Sequence, residues 1–478
     1  MAASFFFYDV ETSGFDARAA RIMQFAGQRT DMDLQPIGDP VNVLIKLTPD
    51  VLPDPEAVLV TGITPQATLA DGISEAEFLK YFYAEIVAPD TIFLGYNSVR
   101  FDDEFMRFLH YRNFYDAYRW QWSDGCSRWD LLDVVRMTRA LRPEGIKWPF
   151  DSSGAPSNRL GLLTAVNQID HVGAHDALAD VRATIAMARL IKDKQPKLFS
   201  YLLDMRDKKK VAKLAQSGQP FVYASGKYSS EFEKTTVVAS LAPHPKKQGM
   251  LVYDLRYDPD EFTQLSAEQL AERWKWVKEP TSSRLPIKTL QFNRCPAIAP
   301  LSVLNAAAET RIKLDKKTAE VHLVQLKSAH NFPEKVLKAL EILDNQQQVS
   351  MLAHEQEVDA GLYDGFFDAH DSGLLPVIRI ANPAELTSFV SELHDPRLKA
   401  LLPLYKARNY PASLTPEERS TWDAFCQQRI IGTKDRSPLE RYMRRLEELT
   451  ERATTDAERY LIQELRLYGE SIMPVELT

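Results

Sequence analysis

The sequence has few cysteines, no long apolar run and no excess of basic charge, and each absence excludes a class of protein. Its 478 residues include only three cysteines, Cys126, Cys295 and Cys426, which lie far apart and form no CxxC pair. A disulfide framework or structural zinc site is therefore not expected, and a reducing cytoplasm fits best. No apolar run approaches the roughly 20 residues of a membrane-spanning helix, so no membrane association is predicted.

The N-terminal segment also lacks the features of a signal peptide. Its short apolar run, residues 5–8, is interrupted by Asp9 and Glu11, and no basic segment precedes it. Over the whole chain, 66 acidic residues against 58 basic ones give a net charge of −8. That balance excludes a histone-like protein that binds nucleic acid through bulk charge, but it is compatible with a local basic groove.

The length predicts about three domains, and the pattern of the chain changes twice. Residues 1–195 alternate short apolar runs with helical spacing, which predicts an α/β domain whose mixed sheet is covered by helices on both faces. Residues 196–349 contain short strands between turn residues and predict a β-rich module. Residues 350–478 carry 3.6-residue spacing and predict a helical C-terminal domain, with helices over 386–393, 397–407, 416–429 and 439–468.

Within the first segment, the pattern predicts individual elements. Strands are expected over 4–10, 22–28, 41–47 and 91–94, and helices over 74–87, 102–114, 131–141, 160–169 and 176–192. Ser74 and Glu77 have the spacing of a capping box at the start of the first of these helices.

Two carboxylates end the first predicted strand. Asp9 and Glu11 are two residues apart, so their side chains point to the same face of the strand. They would repel each other and raise each other's pKa unless a cation lay between them. The alternative is an exposed polar strand end without a function.

Further acids follow at the start of two predicted helices. Asp102 lies between an apolar run and a helix, where an aspartate is most often an N-cap. His175 and Asp180 begin the last helix of the first segment. Five residues on one helix would place them about 140° apart, so they serve one site only if His175 lies in the preceding loop. A lone histidine there is more often a capping or packing residue.

In this order the motifs D-x-E, N-x-x-x-F-D (Asn97 to Asp102) and H-x-x-x-x-D resemble the DEDD superfamily of 3′-to-5′ exonucleases, in its histidine subtype. Other segments resemble the bacterial exonuclease I family, namely residues 100–104, 111–115, 128–133, 142–146, 363–367 and 405–409. The resemblance covers nearly the whole chain. It implies an RNase H-like nuclease domain, an SH3-like domain and a helical extension.

The resemblance also implies a mechanism of two-metal-ion hydrolysis. Asp9, Glu11, Asp102 and Asp180 would hold two Mg²⁺ ions, with Mn²⁺ as a substitute, since hard cations prefer carboxylate oxygen. His175 would take a proton from the attacking water, a role suited to an ordinary pKa near 6.5.

Cationic and aromatic residues are candidates for contact with single-stranded DNA, because phosphates need positive charge and bases need flat faces. The candidates for substrate binding are Glu11, Thr12, Arg107, Tyr118, Trp122, Arg136 and Arg159. The alternative for the aromatic stretch is a helix with a packed face. A second basic set comprises Arg206, Lys208, Lys209, Lys210 and Lys213, and it could equally be a solvated helix face. Lys227, Tyr223 and Tyr228 are candidates for the opposite wall of a passage for one strand.

The expected function is that of a cytoplasmic, monomeric 3′-to-5′ exodeoxyribonuclease that degrades single-stranded DNA to 5′-mononucleotides in DNA repair and recombination. The resemblance adds a partner, the C-terminal tail of single-stranded-DNA-binding protein, at Arg142 and Tyr201. One alternative is an RNA-directed or proofreading member of the superfamily, which usually lacks the long extension. Another is a non-catalytic DNA-binding scaffold, against which the five matching motif residues argue.

Overall fold

The computed structural model describes residues 3–171, 173, 176–275, 282–351, 357–432 and 437–473. In chain order the strands are β1 (Ser4–Thr12), β2 (Ile22–Thr30), β3 (Val41–Leu44), β4 (Thr91–Gly95), β5 (Ser127–Asp130), β6 (Phe221–Ala224), β7 (Thr235–Pro243), β8 (Gly249–Asp254), β9 (Ile287–Gln291) and β10 (Ala297–Pro300).

The α-helices of the N-terminal half are α1 (Pro55–Thr61), α2 (Pro65–Asp71), α3 (Glu75–Tyr81), α4 (Asp102–Arg112), α5 (Leu131–Leu141), α6 (Leu160–Val166), α7 (Ala177–Lys194), α8 (Pro196–Asp204) and α9 (Lys208–Ala215). They continue as α10 (Asp260–Thr263), α11 (Ala267–Trp274), α12 (Ala306–Ile312), α13 (Lys316–Ser328), α14 (Phe332–Met351), α15 (Ala369–Ile380), α16 (Pro396–Asn409), α17 (Pro416–Ile431), α18 (Pro438–Arg452) and α19 (Asp456–Ser471). Within the described ranges, none of these helices is long and apolar enough to cross a membrane.

The chain forms two compact units, and each is made of separate stretches of sequence. The first contains residues 1–127, 172–182 and 356–478, and the second contains residues 128–171 and 183–355. The first unit therefore combines the N-terminal strands with the C-terminal helices. The division of the chain at residues 195 and 349 stays a prediction.

The N-terminal strands form the mixed sheet that the sequence predicts. The strand order is β3-β2-β1-β4-β5, in which β5 begins at Ser127. β1 pairs antiparallel with β2 and parallel with β4. Phe6, Tyr8 and Val10 alternate along β1 and are buried against Phe25 and Phe93 in one apolar cluster. Because side chains alternate along a strand, the residues between them point to the opposite face.

In the second unit, the predicted β-rich module is a five-stranded sheet of order β10-β6-β7-β8-β9. Its pairs are antiparallel. Phe221, Val238, Val252 and Leu290 share an apolar cluster on this sheet. Helices α12, α13 and α14 follow β10 and begin before residue 350, so the helical part of the chain starts earlier than the sequence pattern indicated.

Two of the predicted helices are divided in the structure, and the helix predicted over 386–393 is a 3₁₀-helix over Pro383–Ser391. The capping box is confirmed, since Ser74 N donates to Glu77 Oε2 at 2.8 Å and Glu77 N donates to Ser74 Oγ at 3.2 Å. However, α3 ends at Tyr81, and a π-helical turn follows over Phe82–Ile86. The helical spacing of residues 439–468 is divided between α18 and α19, because another capping box, at Thr455, starts a new helix.

A buried ionic cluster connects residues of the first unit that are far apart in sequence. This arginine–aspartate cluster consists of Arg21, Asp50, Asp359, Arg408 and Arg429. Arg21 Nη2 donates to Asp359 Oδ2 at 2.6 Å, and Arg408 donates to both Asp50 Oδ2 and Asp359 Oδ1 at 2.7 Å. Arg429 Nη1 adds a bond of 2.6 Å to Asp359 Oδ2. Burying two carboxylates is tolerable here because each one has guanidinium partners.

Candidate active site

Strand β1 presents two acids beside the apolar cluster. Asp9 and Glu11 are opposite Ala26 and Gln24 of β2 and are half-buried. At the neighbouring strand end, a Cβ atom on Gly95 would lie 2.6 Å from the carbonyl oxygen of Tyr8. Only glycine permits this close approach of β4 to β1. The two strands thereby bring the turn that follows β4 next to the acids of β1.

That turn delivers the third predicted acid. Asn97 has a positive φ of 72°, a conformation that asparagine tolerates better than most residues. Asp102 is 3% exposed and occupies the first position of α4, after Phe101 as the N-cap. Its Oδ1 accepts a hydrogen bond of 3.1 Å from Val10 N, across 92 residues of sequence. The N-cap alternative for Asp102 is therefore wrong, because its carboxylate bonds to β1.

The fourth acid comes from the first turn of α7. One oxygen from each of Asp9, Glu11 and Asp180 lies within 4.8 Å of the other two. Asp102 acts electrostatically on both Asp9 and Glu11. The four residues Asp9, Glu11, Asp102 and Asp180 are called the acid cluster below. His175 lies outside the described residues.

Gln24 holds the beginning of α7 against β2, and no sequence motif pointed to it. Its Nε2 donates to Asp176 Oδ1 at 2.8 Å and to Asn42 Oδ1 at 2.9 Å. Its Oε1 accepts from Ala177 N at 3.2 Å. One side chain thus bonds to both residues that start the helix of Asp180. A glutamine in a strand gives no local signal for this role.

Asp103 was also missed, and it ties α4 to β1 beside Asp102. Its Oδ1 accepts a hydrogen bond of 2.5 Å from the Tyr8 hydroxyl, and its other oxygen lies 3.6 Å from Arg107 Nη2. Asp103 is 1% exposed. The adjacent acids Asp102 and Asp103 therefore both contact β1, one through its backbone and one through a side chain.

The acid cluster has the electrostatics of a cation site. Burial, together with like-charge repulsion from Asp180, Asp102 and Asp176, raises the pKa of Glu11 to about 8. Burial and then the Asp102 and Glu11 carboxylates raise the pKa of Asp9 well above its usual value. Such a group of oxygen donors suits a hard divalent cation, whose charge would offset both effects.

Some predicted substrate-binding residues of the first unit are exposed and others are enclosed. Trp122 is 63% exposed, and Tyr118 is half-buried. Arg107 is 3% exposed, donates to Glu104 Oε1 at 2.6 Å and stacks over the Tyr118 ring at 5.3 Å. Thr12 is also buried and donates its hydroxyl to Gly14 O at 2.7 Å. Contact of these residues with DNA stays a prediction.

The remaining predicted contacts belong to the second unit. Arg136 Nη1 donates to Asp133 Oδ1 at 2.5 Å, and Arg159 is exposed at the N-cap of α6. Arg142 Nη2 donates to Val303 O at 3.0 Å. Tyr201 packs against the apolar cluster of the β-rich module, where burial raises its pKa to about 12. Their roles towards DNA or a partner stay predictions.

The second basic set lies on and before α9. Lys208, Lys209, Lys210 and Lys213 are exposed, and Lys210 pairs with Asp204. Arg206 is half-buried, and its Nη1 donates to Leu203 O at 2.8 Å.

The candidates for the opposite wall lie in the β-rich module of the same unit. Lys227 Nζ donates to Thr289 O at 3.2 Å. Tyr223 and Tyr228 are 4% and 7% exposed and pack edge to face at 5.5 Å. Their rings belong to the apolar cluster of the module, which leaves little of either ring for contact with a base.

Comparison with known proteins identifies the family. Residues 6–188 match a family model described as exonuclease, residues 206–341 match the exonuclease I SH3-like domain, and residues 356–472 match the exonuclease I C-terminal domain. The exodeoxyribonuclease I of Haemophilus influenzae is 39% identical over 98% of this chain and 99% of its own. The chain belongs to the exodeoxyribonuclease I family. The exonuclease, SH3-like and helical parts expected from the sequence are confirmed.

Solved structures of exonuclease I share the whole fold with this family member. The zinc-ion-bound form of the Escherichia coli exonuclease I–ssDNA complex is 36% identical, with a TM-score of 0.91 over 99% of this chain and 100% of that one. A structure of SSB/exonuclease I in complex with the inhibitor CFAM is 36% identical, with a TM-score of 0.88 and the same coverage. The exonuclease fold is metal-dependent, which agrees with the oxygen donors of the acid cluster.

Proposed function

We propose that the chain removes nucleotides one at a time from the 3′ end of single-stranded DNA and releases 5′-mononucleotides, with two divalent cations held by the acid cluster. The observation that carries this proposal is the meeting of Asp9, Glu11 and Asp180 within 4.8 Å, with Asp102 beside them. These acids come from three separate stretches of sequence. Carboxylates that are half-buried and repel one another destabilise the fold, so such a cluster indicates a functional site.

Different residues would bind the cations and position the elements that carry the cation ligands. Asp9, Glu11, Asp102 and Asp180 would hold the cations, and Val10 N and Gln24 keep the elements that carry them in place. When bound, two such ions lower the pKa of water and neutralise charge on the entering and leaving oxygens. We assign Mg²⁺ to this site, with Mn²⁺ as a substitute, because the described donors are all carboxylate oxygens.

His175 is the proposed general base, on the strength of its motif position five residues before Asp180. Replacing it with alanine should reduce kcat by about 10²–10⁴-fold, the usual contribution of general base catalysis. Mg²⁺ affinity, measured by calorimetry, should change little. A parallel loss of metal affinity and rate would instead make His175 part of the metal site.

The substrate and partner assignments rest on exposure, charge and the relatives. Trp122 offers an exposed aromatic face, and base stacking is worth about 1–3 kcal/mol per base. The SSB/exonuclease I structure supports a complex with single-stranded-DNA-binding protein, for which Arg142 and Tyr201 are the proposed contacts. The cysteines Cys126, Cys295 and Cys426 are free thiols, which supports a reducing cytoplasm as the site of action. We propose that the enzyme acts there as a monomer in DNA repair and recombination.

The decisive experiment compares a 5′-labelled single strand, its blunt duplex and an RNA strand of the same sequence, each with Mg²⁺ or EDTA. The label on the uncut end resolves successive shortening from the 3′ end. We expect rapid shortening of the DNA single strand in Mg²⁺ only. Equal digestion of the duplex would contradict strand specificity, activity in EDTA would contradict the metal mechanism, and preference for RNA would favour the RNA-directed alternative.

A further inference from the structure

The turn between β6 and β7 ends in two adjacent residues with left-handed backbone conformations. Glu233 and Lys234 have φ values of 52° and 55°, a region that glycine and asparagine tolerate better than either of them. The turn is closed at its base, where Lys234 N donates to Ser229 O at 3.0 Å and Ser225 N donates to Lys234 O at 2.8 Å. Residues persist in this region when the surrounding structure holds them there.

Arg139 of α5 holds the turn through Glu233. Glu233 Oε2 lies 2.7 Å from Arg139 Nε, and the two side chains are 14% and 3% exposed. Arg139 Nη1 also donates to Pro149 O at 2.9 Å and to Ser157 O at 2.7 Å. Each charge of such an enclosed pair keeps its partner, because leaving either one buried and unpaired is costly. The turn is therefore fixed against α5.

This attachment places Lys234 beside Arg136, which precedes Arg139 by three residues and lies on the same face of α5. A Cβ atom on Gly226 would lie 3.0 Å from Arg136 Nη2, so the turn lies directly against this guanidinium. Gly226 follows Ser225, the residue whose amide bonds to Lys234. Burial and then the charge of Arg136 lower the pKa of Lys234, as expected for two neighbouring cations.

The two cations have one counter-ion among the described residues. Arg136 Nη1 donates to Asp133 Oδ1 at 2.5 Å, whereas the half-buried Lys234 ammonium forms no ion pair in the part of the chain that the structure describes. A cation that is partly removed from water without a partner is unfavourable until an anion binds. We propose that Lys234 and Arg136 together bind one phosphate of the DNA strand, with Glu233 and Arg139 as positioning residues.

This inference rests on the proposed function and adds Lys234 to the contacts of the same single strand. A phosphate presents oxygens to two cations at once, and both an arginine and a lysine bind it well. Because phosphate contacts carry no sequence information, Lys234 should contribute equally to the binding of any base sequence.

The test measures the affinity of the full chain for a 5′-labelled oligothymidylate by fluorescence anisotropy in EDTA, over a series of KCl concentrations. Lys234→Asn removes the charge and suits the positive φ, so its Tm should equal or exceed that of the wild-type chain. We expect binding to weaken about tenfold, the usual effect of losing a hydrogen bond from a charged group. The plot of log affinity against log salt should become shallower by about 0.7, because one phosphate fewer is neutralised.

Three further variants control the interpretation. Lys234→Arg keeps the charge and should keep both the affinity and the salt dependence. The matched control is Lys247→Asn, which removes an exposed lysine from the turn at the other end of β7 and should change neither. Glu233→Gln removes the ion pair with Arg139 and should weaken binding although Lys234 is still present.

The inference is overturned if Lys234→Asn binds the strand as tightly as the wild-type chain, if its salt dependence is unchanged, or if Lys247→Asn loses as much affinity. Wild-type affinity in Glu233→Gln would contradict the positioning role of the ion pair. Digestion by the wild-type chain in Mg²⁺ is measured separately. A failure to shorten the strand would contradict the proposed function and not the phosphate contact, because the affinity comparison requires no cleavage.

Discussion

The first unit contains two groups of acidic side chains whose electrostatic surroundings are opposite. In the arginine–aspartate cluster, burial alone would raise the pKa of Asp50, but Arg408 and Arg21 outweigh it and hold the pKa at about 2. In the acid cluster, burial and neighbouring carboxylates act in the same direction and raise the pKa of Glu11 to about 8. The first group has its counter-charges within the protein. The second has the charge of a site that is completed by a cation from solution.

Replacing a carboxylate by an amide of the same shape should have opposite effects on stability in the acid cluster and in the arginine–aspartate cluster. Asp9→Asn should reduce kcat by more than about 100-fold, because even changes behind a metal ligand cost about 10–100-fold. Its Tm in EDTA should rise, because a repelled buried charge has been removed. Steady-state digestion and thermal melting measure the two effects. A variant that loses stability in EDTA would show that Asp9 is a structural acid.

The corresponding change in the arginine–aspartate cluster should affect stability and spare the chemistry. Asp359→Asn leaves three guanidiniums with one fewer carboxylate, and breaking a buried ion pair costs about 3–5 kcal/mol. We expect a lower urea midpoint and a nearly normal kcat for the folded fraction. The matched control is Asp364→Asn, an exposed acid of the same segment, which should change stability by less than about 0.5 kcal/mol. A loss of kcat as large as that of Asp9→Asn would erase the distinction between the clusters.

These two clusters also differ in how far the sequence could predict them. The acids of the active site lie in short motifs at strand and helix ends, so alternation along β1 and the order of the motifs were enough to propose their meeting. Arg21 and Asp359 are 338 residues apart, and no local pattern encodes their bond. Gln24 and Asp176, 152 residues apart, were missed for the same reason.

Local rules predicted the elements better than their ends. The apolar run of β1 and the Ser74 capping box were sufficient, because neighbours in sequence decide both. The break between α18 and α19 was missed, because apolar spacing continues on both sides of Thr455. The roles of Arg107 and Asp103 depend on Tyr8 and Tyr118, which only the folded chain brings close.

Gln24 offers a finer test, because it supports the acid cluster through neutral hydrogen bonds. Gln24→Ala should release Asp176 and Ala177 and lower kcat by about 10–100-fold, with a smaller change in KM for DNA. The matched control is Gln28→Ala on the same face of β2, whose side-chain Nε2 donates to the carbonyl oxygens of residues 29, 37 and 38. Gln28→Ala should lower Tm and leave kcat unchanged. Equal kcat values for the two variants would limit Gln24 to a packing role.

The most direct measurement of the central claim is the effect of Mg²⁺ on Tm as a function of pH. The folded pKa of Glu11, about 8, lies above its ordinary value of 4.5, so the metal-free fold loses stability as pH rises through that window. A cation replaces the proton, so the rise in Tm with Mg²⁺ should be small at pH 5.5 and several degrees at pH 8. In Asp9→Asn the rise at pH 8 should largely disappear. A Mg²⁺ effect that is independent of pH and survives in Asp9→Asn would contradict a cation site at these acids.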